Sequence, residues 1–250
     1  KGNKIVYFSK IKNITLILAF GLTGCSASND LVENDPFEKI NRRVHSFNLV
    51  LDRSILRPAA LTYVSVVDQD IQNVVSNVSD NLSTPGDVAN NILQGDLESA
   101  VKNSLKFVIN STIGLGGLAK PAEQFGINGK GGDFGQTLHV WGVPEGPFIV
   151  IPAFGPSTGR DAVGILGDLS LDPVGPLMSE QARVFSFGIR AADVLGKRGN
   201  YSTSLDSIIY GSADSYEQMK IIYLQARRFE LDGTQEDDYF DPYEEIFNEN

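Results

Sequence analysis

The sequence predicts a mainly α-helical fold, built of amphipathic helices with short connections and interrupted by a glycine-rich, hairpin-like insert. Three observations carry this expectation. Apolar residues recur at helical spacing through residues 37–108 and again through 184–224. Between these blocks, residues 111–152 are apolar but broken by glycine and proline. Ahead of both stands an export signal that ends at the chain's single cysteine.

In chain order, Lys1, Lys4, Lys10 and Lys12 form a basic n-region, and residues 14–20 form a short apolar h-region. Leu22, Thr23 and Gly24 then lead into Cys25. This order is that of a secretory signal peptide over residues 1–24, and its apolar run is well short of the ~20 residues a membrane-spanning helix needs. With one cysteine, the chain cannot form an internal disulfide, so a lone cysteine in an exported protein calls for another role. Its position suits lipidation of Cys25 as the new N-terminus; the plainer reading is a small residue closing an ordinary signal. Two or more acyl chains, at about 0.8 kcal/mol per buried CH₂, anchor a protein stably. Ser26, where aspartate would favour retention at an inner membrane, points to an outer membrane. Residues 25–34 are mostly small and polar and read as a lipidated tether.

The folded domain is expected over residues 35–232. Asp35 is placed as a cap, Pro36 at the first helical position and Glu38 as the partner of a capping box. Phe37, Ile40, Val44, Phe47 and Leu51 give this first helix one apolar face, and Arg57 and Pro58 are expected to end it. Val67, Ile71, Val74, Val75, Val78 and Leu82 mark a second helix. A third, short one is expected to start at Thr84, Pro85, Gly86 and Asp87 and to close at Gly95. Asp96 caps a fourth, with Leu97, Val101, Leu105 and Val108 on one side.

The middle reads differently. Gly114, Gly116 and Gly117 break one apolar stretch, and Gly129, Gly131, Gly132, Gly135 and Gly142 surround Phe134 and Trp141. Residues 146–152 form a short apolar run bracketed by proline. Such a stretch is too apolar for an ordinary solvent loop and too broken for a core helix. Irregular backbone survives in lipid only where protein or a water-filled cavity satisfies it, so the insert is expected to face a membrane, line a pore, or pack as a buried loop on the helices. Helices resume near 159–169, then through Val184, Phe185, Ile189, Ala192 and Leu195 with an end at Gly196 and Gly199, and lastly through Tyr216, Met219, Tyr223 and Leu224 to Gly233.

Composition narrows the function classes. A net charge of −10 and a pI near 4.7 argue against nucleic acid and against attraction to anionic headgroups. Nine carboxylates and no lysine or arginine fall between Glu230 and Asn250, so residues 233–250 read as an acidic, disordered tail. Its Tyr239, Phe240, Tyr243, Ile246 and Phe247 also suit docking on a basic partner surface. Gly155-Pro156-Ser157-Thr158-Gly159 matches the Gly-x-Ser-x-Gly elbow of hydrolases. That order needs a histidine after the serine, and His45 and His139 both precede it, so the segment reads as a turn and helix cap. Two distant histidines give no metal-ligand spacing. Asp133-Phe134-Gly135 lacks the other parts of a kinase signature, and His139 reads as a hydrogen-bonded structural residue. The sequence calls for no enzyme, no metal and no cofactor.

Taken together, the motifs resemble one known family, the MlaA (VacJ) outer-membrane lipoproteins. The likeness begins with Asp35, Pro36, Phe37 and Glu38 followed by Asn41, Arg42, Phe47 and Asn48. It continues through Asn91-Ile92-Leu93-Gln94-Gly95-Asp96 and through Phe107, Asn110, Ser111, Thr112, Ile113, Gly114, Gly116 and Gly117. Its most specific stretch holds Phe134, Gly135, Thr137, Leu138, Trp141, Gly142, Val143, Gly146, Pro147 and Phe148, and runs on through Pro152, Gly155, Pro156, Ser157, Arg160 and Asp161. Phe148, where the family often has tyrosine, and His45, where an aromatic is common, are departures.

The resemblance implies a mostly helical ring embedded in the outer membrane beside a trimeric porin. It implies a protein that removes phospholipid strayed into the outer leaflet and hands it to a soluble periplasmic lipid carrier, which feeds an ATP-driven transporter. Phe134, Gly135, Thr137, Leu138, Trp141, Gly142, Gly146 and Pro147 are the expected channel or gate. Asp35, Pro36, Asn41, Arg42, Phe47 and Asn48 are the expected signature of the first helix, with Asn41, Arg42 and Asn48 holding it to the ring. A lipoprotein that scaffolds a porin complex without moving lipid is the main alternative, and a phospholipase the enzymatic one.

Overall fold

The computed structural model describes residues 35–171 and 173–232. The signal segment 1–24, the lipidation site Cys25, the tether and the acidic segment 233–250 lie outside the described residues.

Helix α1 (Glu38–Leu51) starts two residues later than the sequence suggests. Phe37 takes the N-cap position and Pro36 stands before the helix, while Asp35 receives the N–H of Phe37 at 3.1 Å and Glu38 pairs with Arg42 at 2.7 Å. The expected stop at Arg57 and Pro58 is also corrected. The chain passes through a π-helical turn (Asp52–Leu56) into α2 (Arg57–Val66). The wider turn accommodates Pro58, which falls in the first turn of α2, where a missing N–H is tolerated.

The expected second and third helices are one, α3 (Gln69–Gln94), which runs through Pro85. Hydroxyls take up carbonyls in the turn before the proline: Thr84 donates to Asp80 O at 2.9 Å and Ser83 to Ser79 O at 3.1 Å. Gly95, at φ 80°, ends α3 in the left-handed conformation that favours glycine. Asp96 then caps α4 (Leu97–Thr112) by accepting the N–H of Ser99 at 2.9 Å, as the sequence suggests.

After a short α5 (Pro121–Gln124), the segment read as irregular holds a helix, α6 (Phe134–Val140). Asp133 caps it through the N–H of Gln136 at 2.8 Å. Gly135 does not break this helix; it lets it approach its neighbour. Strands β1 (Phe148–Ile151) and β2 (Gly155–Thr158) form an antiparallel hairpin with Phe148 opposite Thr158. The Gly-Pro-Ser-Thr-Gly segment is therefore mostly strand, although Thr158 does cap the next helix by accepting the N–H of Asp161 at 3.2 Å. That helix is α7 (Gly159–Leu171).

A 3₁₀ turn (Gly175–Leu177) leads to α8 (Glu180–Asn200), which continues through Gly196 and Gly199 rather than ending there. The reason is packing. A Cβ on Gly199 would lie 2.5 Å from Val64 Cγ1 and 2.8 Å from Ala60 O, so the glycine serves the close crossing of α8 and α2. Helix α9 (Ser202–Gly211), which the sequence reading did not place, precedes α10 (Ser215–Asp232).

The packed neighbours close a circuit. From α1 it passes to β1, β2, α7, α6, α3, α8, α2 and, through the π-helical turn, back to α1. Helices α4 and α5 buttress it from α3, and α9 and α10 from α8 and β2. The fold is thus mainly α-helical and ring-like in connectivity, with the hairpin as one link. One small apolar cluster, Phe148, Val150, Tyr216 and Leu224, joins the hairpin to α10. No described helix is long and apolar enough to cross a membrane.

Candidate functional site

The ring is built with its polarity reversed. Among the described residues, nine hydrophobic side chains are buried against twenty-one polar or charged ones. An ordinary soluble core shows the opposite balance.

Helices α1, α4 and α8 repeat the pattern. On α1 and the turn after it, Asn41, His45, Asn48 and Asp52 recur at i, i+4, i+7 and i+11 and face inward. Phe37, Ile40, Phe47 and Val50 are exposed. On α4, Ser99, Asn103 and Asn110 are buried while Leu97, Val101, Leu105 and Val108 are exposed. On α8, Asp193 and Arg198 are buried while Val184, Phe185, Phe187 and Val194 are exposed. Each such apolar side chain forgoes about 1.5–3 kcal/mol if left in water. A surface that spends this on several helices at once is shaped for an apolar surrounding.

Charge pairs hold the interior closed. Arg198 grips Asp52 with two bonds of 2.9 and 2.8 Å and Asp206 at 2.7 Å, and Tyr210 donates to Asp52 at 2.6 Å. Burial alone pushes the Asp52 carboxyl up, but the bonds from Arg198 and Tyr210 outweigh it and hold the group below its usual range. On the opposite side of the circuit, Arg227 of α10 makes two 2.8 Å bonds to Asp133 and reaches Asp161 at 3.1 Å. Tyr223 donates to Asp161 at 2.7 Å. Asp161 follows the same logic: burial raises it, and Arg227 with Tyr223 brings it below the ordinary carboxylate range.

The residues expected to form a gate come together on and just after α6. Thr137 is fully buried; its hydroxyl donates to Asn90 at 3.0 Å and accepts from Gln94 at 3.0 Å. A Cβ on Gly164 of α7 would lie 2.5 Å from Gly135 N, so these two helices touch backbone to backbone. The Phe134 ring lies over Gly167 and stands edge-on to Trp141 at 5.9 Å. Trp141 is 54% exposed, yet its indole N–H donates to Leu93 O at 3.0 Å. Leu138 is half-buried and its carbonyl receives the N–H of Val143 at 2.9 Å. Gly142 and Gly146 have φ of 80° and 74°, and Pro147 O receives the N–H of Gly159 at 2.9 Å. Arg228 pairs with Glu145 at 3.0 Å, so α10 pins this segment near both of its ends.

The first-helix residues lie on the adjoining arc. Asn41 donates to Phe148 O at 3.0 Å and accepts from Val150 N at 2.9 Å, and Asn48 treats Ile151 O and Ala153 N alike at 3.1 and 2.8 Å. Two side-chain amides thus take the place of a neighbouring strand along β1. Arg42 pairs with Asp214 and Glu217 and lies over the Tyr216 ring at 4.4 Å. Asp35 accepts from Tyr216 Oη and Asn41. Pro36 and Phe47 are exposed and take no part in these contacts. Asn90, Asp133, Asp161, Asp168 and Arg227 are central to the interior and were not singled out as site residues from the sequence. In the sequence, Asp161 stood only as the end of the family-like stretch and Asp133 only as part of Asp133-Phe134-Gly135, while Asn90, Asp168 and Arg227 were polar residues within otherwise apolar helices.

Among the described residues, two openings are bordered by polar side chains of the ring. One, of about 360 Å³, lies between α3, α7 and α8 and is bordered by Asp87, Asn90, Asp168 and Arg190. The other, about 750 Å³, lies between α2, the start of α3 and α8, among Tyr63, Gln72, Asp193 and Lys197. Neither includes Ser157, which is 3% exposed and donates to Thr158 O at 3.2 Å. His139 Nδ1 is paired with Arg160 Nη1 at 3.2 Å.

Fold and interior define a class: a helical ring with an apolar exterior and a charged, amide-rich interior. Known proteins are similar to this chain in sequence and fold. The MlaA lipoprotein family matches residues 33–230. The Intermembrane phospholipid transport system lipoprotein MlaA of Escherichia coli (strain K12) is 31% identical over 228 residues, covering 86% of this chain and 88% of that one. The protein of the same description from Haemophilus influenzae is 29% identical over 225 residues, with the same coverage of both chains. An uncharacterized protein of Rickettsia felis is 32% identical over 194 residues, 77% of this chain and 76% of its own. A solved structure reported as "Structural basis for maintenance of bacterial outer membrane lipid asymmetry" superposes with a TM-score of 0.65 at 28% identity, covering 79% of this chain and 99% of that chain. This chain belongs to the MlaA lipoprotein family.

Proposed function

We propose that this chain is the outer-membrane lipoprotein of a phospholipid-transport system, which removes mislocalised phospholipid from the outer leaflet and so maintains lipid asymmetry. The observation that carries the proposal is the reversed polarity of the ring. A phospholipid leaving a leaflet needs a polar path for its headgroup, because a charge left unpaired in hydrocarbon is costly. The interior amides and ion pairs supply that path, while the apolar faces of α1, α4 and α8 lie among acyl chains, as interfacial helices do.

The family likeness supports the remaining parts. Residues 1–24 act as signal peptide, Cys25 carries the lipid, 25–34 tether the domain to the leaflet facing the periplasm, and 233–250 form an acidic tail. A trimeric outer-membrane porin seats the ring, and a soluble periplasmic carrier receives the lipid. Segment 134–147 acts as the gate: it is fastened to α3 through Thr137 and Trp141 and to α10 through Asp133 and Glu145. The activity is transport and not hydrolysis.

Surface labelling of phospholipid in cells with and without the gene tests this. Accumulation of surface phospholipid on deletion, without free fatty acid release in the wild type, is the expected result. Unchanged labelling points to a scaffold, and activity that disappears in Ser157→Ala points to a phospholipase.

A further inference from the structure

We propose that the opening between α3, α7 and α8 is a headgroup site selective for a primary-ammonium phosphate zwitterion, the headgroup of an aminophospholipid. The inference rests on the transport reading and names the lipid class that the same interior selects.

The site has a wall of each kind. Leu82, Ile165 and Leu169 supply apolar lining to the roughly 360 Å³ space, and Asp87, Asp168 and Arg190 bring both signs of charge to it. Pro85 and Gly86 sit just ahead of Asp87 on α3, and a Cβ on Gly86 would meet nothing within 4 Å, so the space is open at that point. Arg190 reaches across from α8 and donates to Leu82 O at 3.2 Å through Nη2. Its remaining donors suit a phosphate.

The two carboxylates are only partly satisfied. Asp87 receives a single long bond, 3.4 Å, from the N–H of Gly132. Asp168 receives Asn90 Nδ2 at 2.9 Å and Phe134 N at 3.0 Å, and both fall on Oδ1. Among the described residues, neither Oδ2 receives a hydrogen bond from a side chain or backbone N–H. Burial pushes both groups up, Asp87 to about 6, with Lys106 across from it on α4 only partly offsetting the cost. A cation that donates hydrogen bonds relieves both groups at once. Among the described residues no aromatic ring lines the space, so they offer no cage of the kind that suits a quaternary ammonium. The apolar wall favours a headgroup still joined to its chains.

The purified full-length protein in detergent tests this when mixed with vesicles of phosphatidylethanolamine, phosphatidylcholine or phosphatidylglycerol, with free phosphoethanolamine as competitor. The wild type is expected to extract phosphatidylethanolamine about tenfold better than phosphatidylglycerol, a difference of ~1.4 kcal/mol. The doubly substituted Asp87→Asn, Asp168→Asn protein is expected to lose that preference while still extracting lipid, and Gly86→Leu, which fills the space without touching a charge, to weaken extraction of all three. Equal extraction of the lipids by the wild type, or a preference unchanged by the double substitution, overturns the proposal and leaves transport standing. No extraction of any lipid by the wild type overturns both. Displacement by free phosphoethanolamine at concentrations comparable to the lipid also overturns it, since the ligand is then the soluble zwitterion.

Discussion

Replacing Arg227 with methionine removes the cation that joins Asp133, before α6, to Asp161 on α7. The guanidinium is 11% exposed and Asp161 8%, so that arm is a buried pair, whereas Asp133 at 40% and Glu230 at 61% are open to screening. Breaking a buried pair from one side costs about 3–5 kcal/mol, mostly through the charge left behind, while the exposed arms contribute at most ~1 kcal/mol. We expect a loss near the lower figure, roughly 3 kcal/mol, because Tyr223 still donates to Asp161. The loss depends on pH. A carboxylate held below its usual range contributes stability above its unfolded value, about 3.9, and that stability fades as pH falls through the folded value. Without Arg227, burial at Asp161 is opposed only by Tyr223, Thr158 and the nearby Arg160, so most of its contribution at neutral pH is lost. The gap between wild type and variant is therefore largest near pH 7 and narrows below pH ~4. Urea unfolding followed by circular dichroism in detergent reads both numbers, and Asp161→Asn added to Arg227→Met is expected to recover about half the loss. A loss under ~1 kcal/mol at pH 7, or one that persists unchanged in acid, refutes the reasoning.

Asp87→Asn is expected to act with the opposite sign. Burial lifts Asp87 from 3.8 to about 6, so ionising it weakens the fold as pH rises through that window; at pH 7 the variant gains up to ~3 kcal/mol, and below pH ~4 nothing, in the same unfolding assay. Gly199→Ala places a methyl 2.5 Å from Val64 Cγ1 and is expected to lose about 1–3 kcal/mol, whereas Gly86→Ala, in open space, gains up to ~1 kcal/mol; equal thermal shifts for the two contradict the close crossing of α2 and α8. Asn41→Asp keeps the acceptor for Val150 N but loses the donor to Phe148 O, and is expected to cost about 1–3 kcal/mol, read by protection of the β1 amides from hydrogen exchange.

Helix existence was legible in the sequence because the apolar stripes repeat at helical spacing on α1, α4, α8 and α10. Their direction was harder to read. Periodicity shows that Leu97, Val101, Leu105 and Val108 share a face, and only packing shows that the face points outward. The complementary stripe Asn41, His45, Asn48 and Asp52 was present in the same residues and is the better guide to what α1 buries. Boundaries failed where glycine or proline serves a contact. Pro85 is carried inside α3 by hydroxyl bonds to the preceding turn, and Gly199 and Gly135 mark helix crossings. The interior ion pairs were illegible because Arg227 and Asp133 are 94 residues apart, and no local pattern joins them.

The claim that the polar interior is the lipid's path is tested most directly by one introduced cysteine. Cys25 is the only native cysteine, so Gly86→Cys carries a single reactive reporter once Cys25 is acylated. A bulky, charged thiol reagent is expected to label residue 86 in intact outer membranes and to raise surface phospholipid to the level of the deletion strain, while leaving unlabelled Leu105→Cys, on the exposed apolar face of α4 proposed to lie among acyl chains. Full labelling at residue 86 with surface phospholipid still at the wild-type level contradicts the account.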